Sequence, residues 1–589
     1  MFSLKKQNGY RLWVFVSFIM IFFQSCNTGS KSNEKEIETI PFKKSTAYFD
    51  DFKYTGKDDF YNENTLPDSS YFYNPILPGW YSDPSICSNG EDYFLVTSTF
   101  SYYPGVPIFH SKDLVNWKQI GHVLDRPEQL PLDGQRITEG IFAPAISYNP
   151  HNKTYYMITT NIKKGNFFVK TKDPFKGWSD PVWLPEVQGI DPSFFFDDDG
   201  KAYVVNNDAP DGGSQYEGHR AIRIQEFDIK TETMKGPRKM IVNGGVDLSE
   251  KPIWIEGPHV YKINGNYYLM CAEGGTSVNH REVIFKSESV LGPYKPWNKN
   301  PILTQKHLDS NRPLPITCAG HADLIQKKDS SWWAVFLACR PIDNDFENLG
   351  RETFLMPVQW DKSGFPYMTR ENEEIPRIIK MPGSTRVKKT TYGNFSITED
   401  FTDSLLPKEW VTIRGDGKNL YSLKDIPGYL ALSCADVNTV ELKTPAFVSR
   451  RLQHHKFEAE TTVYFEPSGL HEAAGILIMK DETHQYAFTL TGNEKSPKIL
   501  VEKITKDGRE ILTEKNLETG EKLFHLRVIS NGLNFEFQYA SNASEWKTLK
   551  TGVDARYLST ANSYGFTGTN IGVYATKKRV PLIKEEMVE

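Results

Sequence analysis

Three carboxylates stand in short, proline-punctuated contexts: Tyr81-Ser82-Asp83-Pro84-Ser85, Gly189-Ile190-Asp191-Pro192-Ser193 and Trp254-Ile255-Glu256-Gly257-Pro258. A proline keeps the residue before it out of the right-handed helical region. That constrains the backbone at Asp83, at Asp191, and at Gly257 just beyond Glu256. Three acids gathered in one pocket can divide labour. One donates a proton to a departing oxygen, one stays ionised and activates water, and a third keeps the donor protonated by like-charge repulsion. Glycoside hydrolysis needs this equipment.

Acids so far apart along the chain meet only if a repeating architecture brings them together. Helical periodicity is scarce, and short apolar and aromatic runs alternate with turn residues, which predicts an all-β protein. Between Asn74 and Met381 a loose repeat recurs five times. Its core is Asp92-Tyr93-Phe94-Leu95-Val96, Thr154-Tyr155-Tyr156-Met157-Ile158, Lys201-Ala202-Tyr203-Val204-Val205, Asn266-Tyr267-Tyr268-Leu269-Met270 and Ser331-Trp332-Trp333-Ala334-Val335. Five copies predict a five-bladed β-propeller, in which equivalent strand starts converge on a central axis. Past Pro382-Gly383-Ser384 the pattern changes. Phe457, Ala459, Thr461, Val463 and Phe465 alternate with polar residues, and Phe524 to Tyr539 reads as a hairpin turning at Asn531-Gly532. An antiparallel β-sandwich is expected there, either packed on the propeller or binding sugar.

The resulting domain plan is a lipoprotein signal peptide at 1–26, a tether and N-terminal extension at 27–72, a propeller at 73–382 and a sandwich at 391–578. Lys5, Lys6 and Arg11 precede an apolar run from Leu12 to Phe23, which ends at Phe23-Gln24-Ser25-Cys26. The run is too short for a mature transmembrane helix, and the pattern resembles a bacterial lipoprotein signal with Cys26 as the acylated residue. The implied location is the bacterial envelope, lipid-anchored and facing either the periplasm or the cell surface. With 69 basic and 74 acidic residues there is no basic footprint for nucleic acid. The remaining cysteines, Cys87, Cys271, Cys318, Cys339 and Cys434, lack the paired spacing of a zinc site and read as scattered buried thiols.

Taken together, Asn74-Pro75-Ile76-Leu77-Pro78-Gly79 leading into Asp83, with the blocks around Asp191 and Glu256, resemble family 43 of the glycoside hydrolases. These are inverting β-xylosidases and α-L-arabinofuranosidases on a five-bladed propeller. The resemblance implies Asp83 as general base, Glu256 as general acid and Asp191 as the residue that tunes the acid and orients the sugar. Base and acid would then stand about 6.5–9.5 Å apart. It also implies that Phe100, Phe142, Arg351 and Glu273 face the substrate. Phe142, in Gly140-Ile141-Phe142-Ala143-Pro144, departs from the Trp that relatives often carry, leaving more room and one N–H donor fewer. His321, in Gly320-His321-Ala322-Asp323, resembles an axial His that supports the carboxylates or takes part in binding a structural calcium; the chemistry itself needs no cofactor.

The sandwich resembles the accessory domain of the longer β-xylosidase-like members, where it can close one side of the pocket and favour exo action. The expected activity is removal of terminal pentose, α-L-arabinofuranose or β-D-xylose, from hemicellulose such as arabinoxylan or xyloglucan or from its oligosaccharides. Two competing readings stand beside this one. One is a non-catalytic surface glycan-binding lipoprotein on the same scaffold, which has no need of all three acids. The other is a retaining propeller enzyme acting on fructans, which places Asn where this chain has Ser82.

Overall fold

The computed structural model describes residues 42–370, 372–387 and 390–583. The signal-peptide and Cys26 acylation expectations lie outside the described residues. The described chain is almost wholly β.

Five antiparallel sheets follow one another from Ser85 to Pro357. The first runs Ser85–Ser88, Tyr93–Val96, Gly105–Ser111, Lys118–Leu124. The second starts at Ile141–Asn149, the third at Ile190–Phe196 and the fourth at Glu256–Ile263. The fifth has three strands, Thr317–Gln326, Trp332–Cys339 and Glu352–Pro357. Each aromatic repeat forms the second strand of its sheet, which explains its composition. These strands are covered on both faces, and their rings fill the gaps between neighbouring sheets. Phe94 meets Tyr155 edge-on at 5.2 Å, Tyr156 meets Phe194 at 5.5 Å, and Phe195 meets Tyr267 at 6.0 Å.

The first strands of successive sheets lie side by side, and that of the fifth lies beside that of the first. One apolar cluster joins Ile86 and Leu95 of the first sheet to Met270 of the fourth and Val335 of the fifth. The segment before the first sheet also reaches the fifth: Thr353 N donates to Leu77 O at 3.2 Å, and Ile76 N donates to Thr353 O at 2.9 Å.

Two further sheets form the sandwich. One contains Lys456–Tyr464 and the hairpin Leu523–Asn531 with Asn534–Ala540; the other contains Ala446–Arg451, Asn570–Thr576, Ala473–Asp481 and His484–Asn493. Phe457, Val463, Phe488, Phe535 and Phe537 are buried between them.

The extension expected at 27–72 needs correction. Its Thr46–Gly56 segment is a central strand of the sandwich, paired with Lys456–Tyr464 on one side and with Leu430–Ser433 and Ser396–Glu399 on the other. Phe49, Phe52 and Tyr54 are each at most 1% exposed in the sandwich core. The chain therefore begins its described part in the second domain, builds the five sheets, and returns. Cys87, Cys271, Cys318, Cys339 and Cys434 are all free thiols.

Candidate active site

One backbone device recurs in or just before the first strand of every sheet. Asp83, Ala143, Asp191, Gly257 and His321 all adopt left-handed φ, at 52°, 35°, 52°, 55° and 51°. In the second to fifth sheets the strand register breaks at this point, between Phe142 and Ala145, Ile190 and Ser193, Glu256 and His259, and Gly320 and Asp323. A bulge of this kind re-aims a side chain that regular pleating would send elsewhere. Non-glycine residues in this region cost about 1–3 kcal/mol each, a strain typical of functional sites.

The equivalence corrects the expected register. Asp83, Asp191 and His321 occupy the same position of their sheets, whereas Glu256 sits one residue earlier, at the position of Phe142. Gly257 holds the equivalent place because a Cβ there would come within 2.9 Å of the His321 ring.

Asp83, Phe142, Asp191, Glu256 and His321 line one cavity of about 750 Å³ with Phe100, Arg351, Arg220, Trp254 and Phe566. Its size falls within the range of small-ligand sites, about 300–1,000 Å³.

Asp83 is 5% exposed. Its Oδ1 accepts from Arg351 Nη1 at 2.9 Å and its Oδ2 accepts from Ser98 Oγ at 2.6 Å. Ser98 Oγ in turn accepts from Ala143 N at 2.8 Å, tying the carboxylate to the neighbouring sheet. His321 Nδ1 lies 3.9 Å from Asp83 Oδ1. Burial pushes the Asp83 carboxyl up, but Arg351, His321 and Ser98 outweigh it and hold the group below its ordinary value.

Asp191 and Glu256 have the opposite poise. Burial, then the nearby Asp83, pushes Asp191 up to about 7, although Gly257 N donates to its Oδ2 at 3.2 Å. Burial, then Asp191 and Asp83, pushes Glu256 well above the carboxylate range, and Arg351 and Arg220 only partly offset this. One cavity thus holds one carboxyl kept below its ordinary value and another raised above it, the separation that acid–base hydrolysis requires.

Phe100 and Phe142 form the aromatic wall, edge-on at 5.5 Å. Phe566, from the sandwich, completes it. Its ring stacks on Phe100 at 6.2 Å, meets Phe142 edge-on at 5.5 Å, and lies under the Arg351 guanidinium at 5.4 Å. Phe566 N donates to Thr138 Oγ1 at 2.8 Å, and Lys480 of the sandwich donates to Thr567 O, so the loop is held by both domains.

Glu273 is corrected. It is 1% exposed and lies outside this cavity. Its Oε1 accepts from Arg281 Nε at 2.9 Å and its Oε2 from Val246 N at 2.9 Å, so the carboxylate pins a loop.

Beneath the acids, burial pushes His321 down to about 4, leaving a neutral imidazole. Nearby, Ser85 Oγ donates to Asp323 and Ser193 Oγ to Pro258 O. Among the described residues no group of three or more His, Cys, Asp or Glu could hold a metal. The Ser85 and Ser193 hydroxyls beside His321 are thus engaged within the protein.

The family model described as Glycosyl hydrolases family 43 matches residues 72–366, and the Beta xylosidase C-terminal Concanavalin A-like domain matches 398–581. The chain belongs to glycoside hydrolase family 43. It is a glycosidase. The non-reducing end alpha-L-arabinofuranosidase BoGH43B of Bacteroides ovatus is 37% identical over 86% of this chain and 91% of that protein. A beta-xylosidase of Bacillus subtilis is 33% identical over 85% of this chain and 95% of its own length. Among solved structures, a family member retrieved from a capybara gut metagenome superposes with a TM-score of 0.84 at 43% identity, covering 90% of this chain and 99% of that one.

Ser98, Arg220 and Phe566 carry no signal in the sequence, and Trp254 stands in the Glu256 motif without showing there that it lines the cavity. Phe566 has no motif around it, and only the chain's return from the sandwich brings it to the acids.

Proposed function

We propose that the protein is an exo-acting, inverting pentosidase that releases terminal non-reducing α-L-arabinofuranose or β-D-xylose from hemicellulose or its oligosaccharides. The observation that carries this is the opposed poise of Asp83 and Glu256 in one cavity. Asp83, ionised, removes a proton from the attacking water as its oxygen bonds to the anomeric carbon. Glu256, protonated, gives its proton to the departing glycosidic oxygen. Asp191 raises the affinity of Glu256 for that proton and orients the sugar. Arg351 holds Asp83 through Nη1 and lines the cavity, where it meets substrate hydroxyls.

Exo action is supported by Phe566, which walls one side of the cavity from the second domain. The substrate class is supported by the names of the relatives. The ring of first strands and the cluster joining first and fifth sheets support closure into a five-bladed propeller. Anchoring in the envelope through Cys26 rests on the N-terminal sequence, and incorporation of labelled palmitate, lost in Cys26→Ala, tests it.

Release of 4-nitrophenol from the α-L-arabinofuranoside and the β-D-xyloside tests the activity. Turnover of at least one, lost in Glu256→Ala, is expected, with the inverted anomer appearing first by NMR. A first-formed product that retains configuration overturns the inverting mechanism.

A further inference from the structure

The outer wall of the cavity is built on Trp254 and Arg220. Ile255 is fully buried between the third and fourth sheets, while Trp254 and Glu256 on either side of it both line the cavity. Trp254 adopts φ 52°, a region bulky aromatic residues rarely enter. Its neighbours hold it there: Trp254 N donates to Gly218 O at 2.8 Å, and Gly274 N donates to Ile253 O at 2.9 Å. The Arg220 guanidinium lies 4.4 Å over the indole. Arg220 has no ion-pair partner among the described residues, unlike Arg351, whose charge is committed to Asp83. Ile162 and Ile253, 39% and 40% exposed, add an apolar lip at the mouth.

The position of Glu256 gives this wall its role. A general acid must touch the glycosidic oxygen, and that oxygen leaves with the sugar on the reducing side of the bond. The surface beyond Glu256, on the side away from Asp83, therefore faces the leaving sugar. Trp254 stands two residues before Glu256 and carries Arg220 over its ring, whereas Arg351 and Phe566 gather around Asp83.

We propose that Trp254 and Arg220 form the subsite for the leaving-group sugar, a neutral pyranose ring. Its C–H face rests on the indole and the apolar lip, and its hydroxyls accept from the guanidinium. Stacking on Trp254 pre-organises the planar Arg220 donors, which suits recognition of several hydroxyls at once. The inference rests on the pentosidase reading with Glu256 as the acid.

The test uses full-length protein carrying Asp83→Asn to suppress hydrolysis, with calorimetric binding of xylobiose and of free xylose and arabinose. Adding Trp254→Ala is expected to weaken xylobiose about tenfold, equivalent to about 1.4 kcal/mol, and to leave the monosaccharides within about twofold. Arg220→Ala should act in the same direction, and Trp254→Phe should recover most of the affinity while controlling for folding. Equal losses for disaccharide and monosaccharides, or no loss for either, overturn the subsite. Turnover of the 4-nitrophenyl pentosides by wild type tests the underlying reading separately: if wild type turns over neither, that reading falls and takes the subsite with it.

Discussion

Arg351 donates from Nη1 to Asp83 Oδ1 at 2.9 Å, and both partners are more than nine-tenths buried. This pair is what keeps a deeply buried carboxylate ionised against the pull of desolvation. Removing the cation leaves a buried charge without its partner, a loss of about 3–5 kcal/mol. Arg351→Met is therefore expected to lower kcat/KM by about 10²–10³-fold. Asp83, no longer depressed, regains a higher pKa, so the acidic limb of the kcat/KM profile moves to higher pH. Rates measured across pH on the 4-nitrophenyl pentosides check both effects, and an unmoved acidic limb would count against Asp83 as the base.

Asp191 acts on the other limb. After burial, its charge is the next cause raising Glu256. Asp191→Asn removes that repulsion, so the Glu256 pKa falls and the basic limb of the profile moves to lower pH. The rate at neutral pH drops with it, by about 10–10²-fold, as the acid spends less time protonated and the sugar loses an orienting group. Glu256→Gln, which has no proton to give, should abolish the basic limb altogether. A basic limb that persists in Glu256→Gln would point to another acid.

Phe566 predicts a specific dependence of the active site on the second domain. Phe566→Ala removes a ring that contacts Phe100, Phe142 and the Arg351 guanidinium together. The expected outcome is a kcat/KM about tenfold lower, mostly through KM, because the wall that confines the terminal sugar is gone. Chain-internal cleavage of a linear xylan, assayed by product length, should rise from zero if this ring is what limits the enzyme to chain ends.

How much of this was legible beforehand depends on sequence distance. The aromatic second strands were readable because each is a short aromatic and apolar run, four of them preceded by a turn signal such as Asn89-Gly90 or Asp199-Gly200. The three acids were readable because proline marks two of them and Gly-Pro follows the third. The one-residue offset of Glu256 was not, since only the bulges reveal that Gly257 is its sheet's equivalent of Asp83. Glu273 misled because a carboxylate followed by Gly274-Gly275 resembles a pocket residue, while its true partner, Arg281, lies on the next strand. Trp254 and Arg220 became visible only as a stacked pair.

Chelation separates the chemistry from any ion near His321. The charge poise of the acids is set by burial, Arg351 and the acids themselves. Dialysis against EDTA is thus expected to leave kcat within about twofold of the untreated protein. A large loss restored by calcium would show that a cation beneath the site holds the carboxylates in place.

The strand Thr46–Gly56 joins the sandwich from ahead of the five sheets. Its alternation was interrupted for a sequence reader by Asp50 and Asp51, where the pairing with Lys456–Tyr464 shifts register between Phe49 and Asp51. A bulge of this kind hides a strand, because the apolar residues change parity across it. Yet the strand lies inside the sandwich sheet, so without it Lys456–Tyr464 loses a hydrogen-bonded neighbour and the sandwich core loses Phe49, Phe52 and Tyr54. Phe52 is 1% exposed and edge-on to Trp410 at 5.1 Å. Phe52→Ala should cost about 3–5 kcal/mol, read as a lower urea midpoint with little change in slope. Because the Phe566 loop hangs from the same sandwich, a chain beginning at Asn74 should fail to present that ring even if the five sheets fold. Its KM for the pentosides should then rise at least as far as in Phe566→Ala. A chain from Asn74 with wild-type KM would mean that the sandwich assembles without its N-terminal strand.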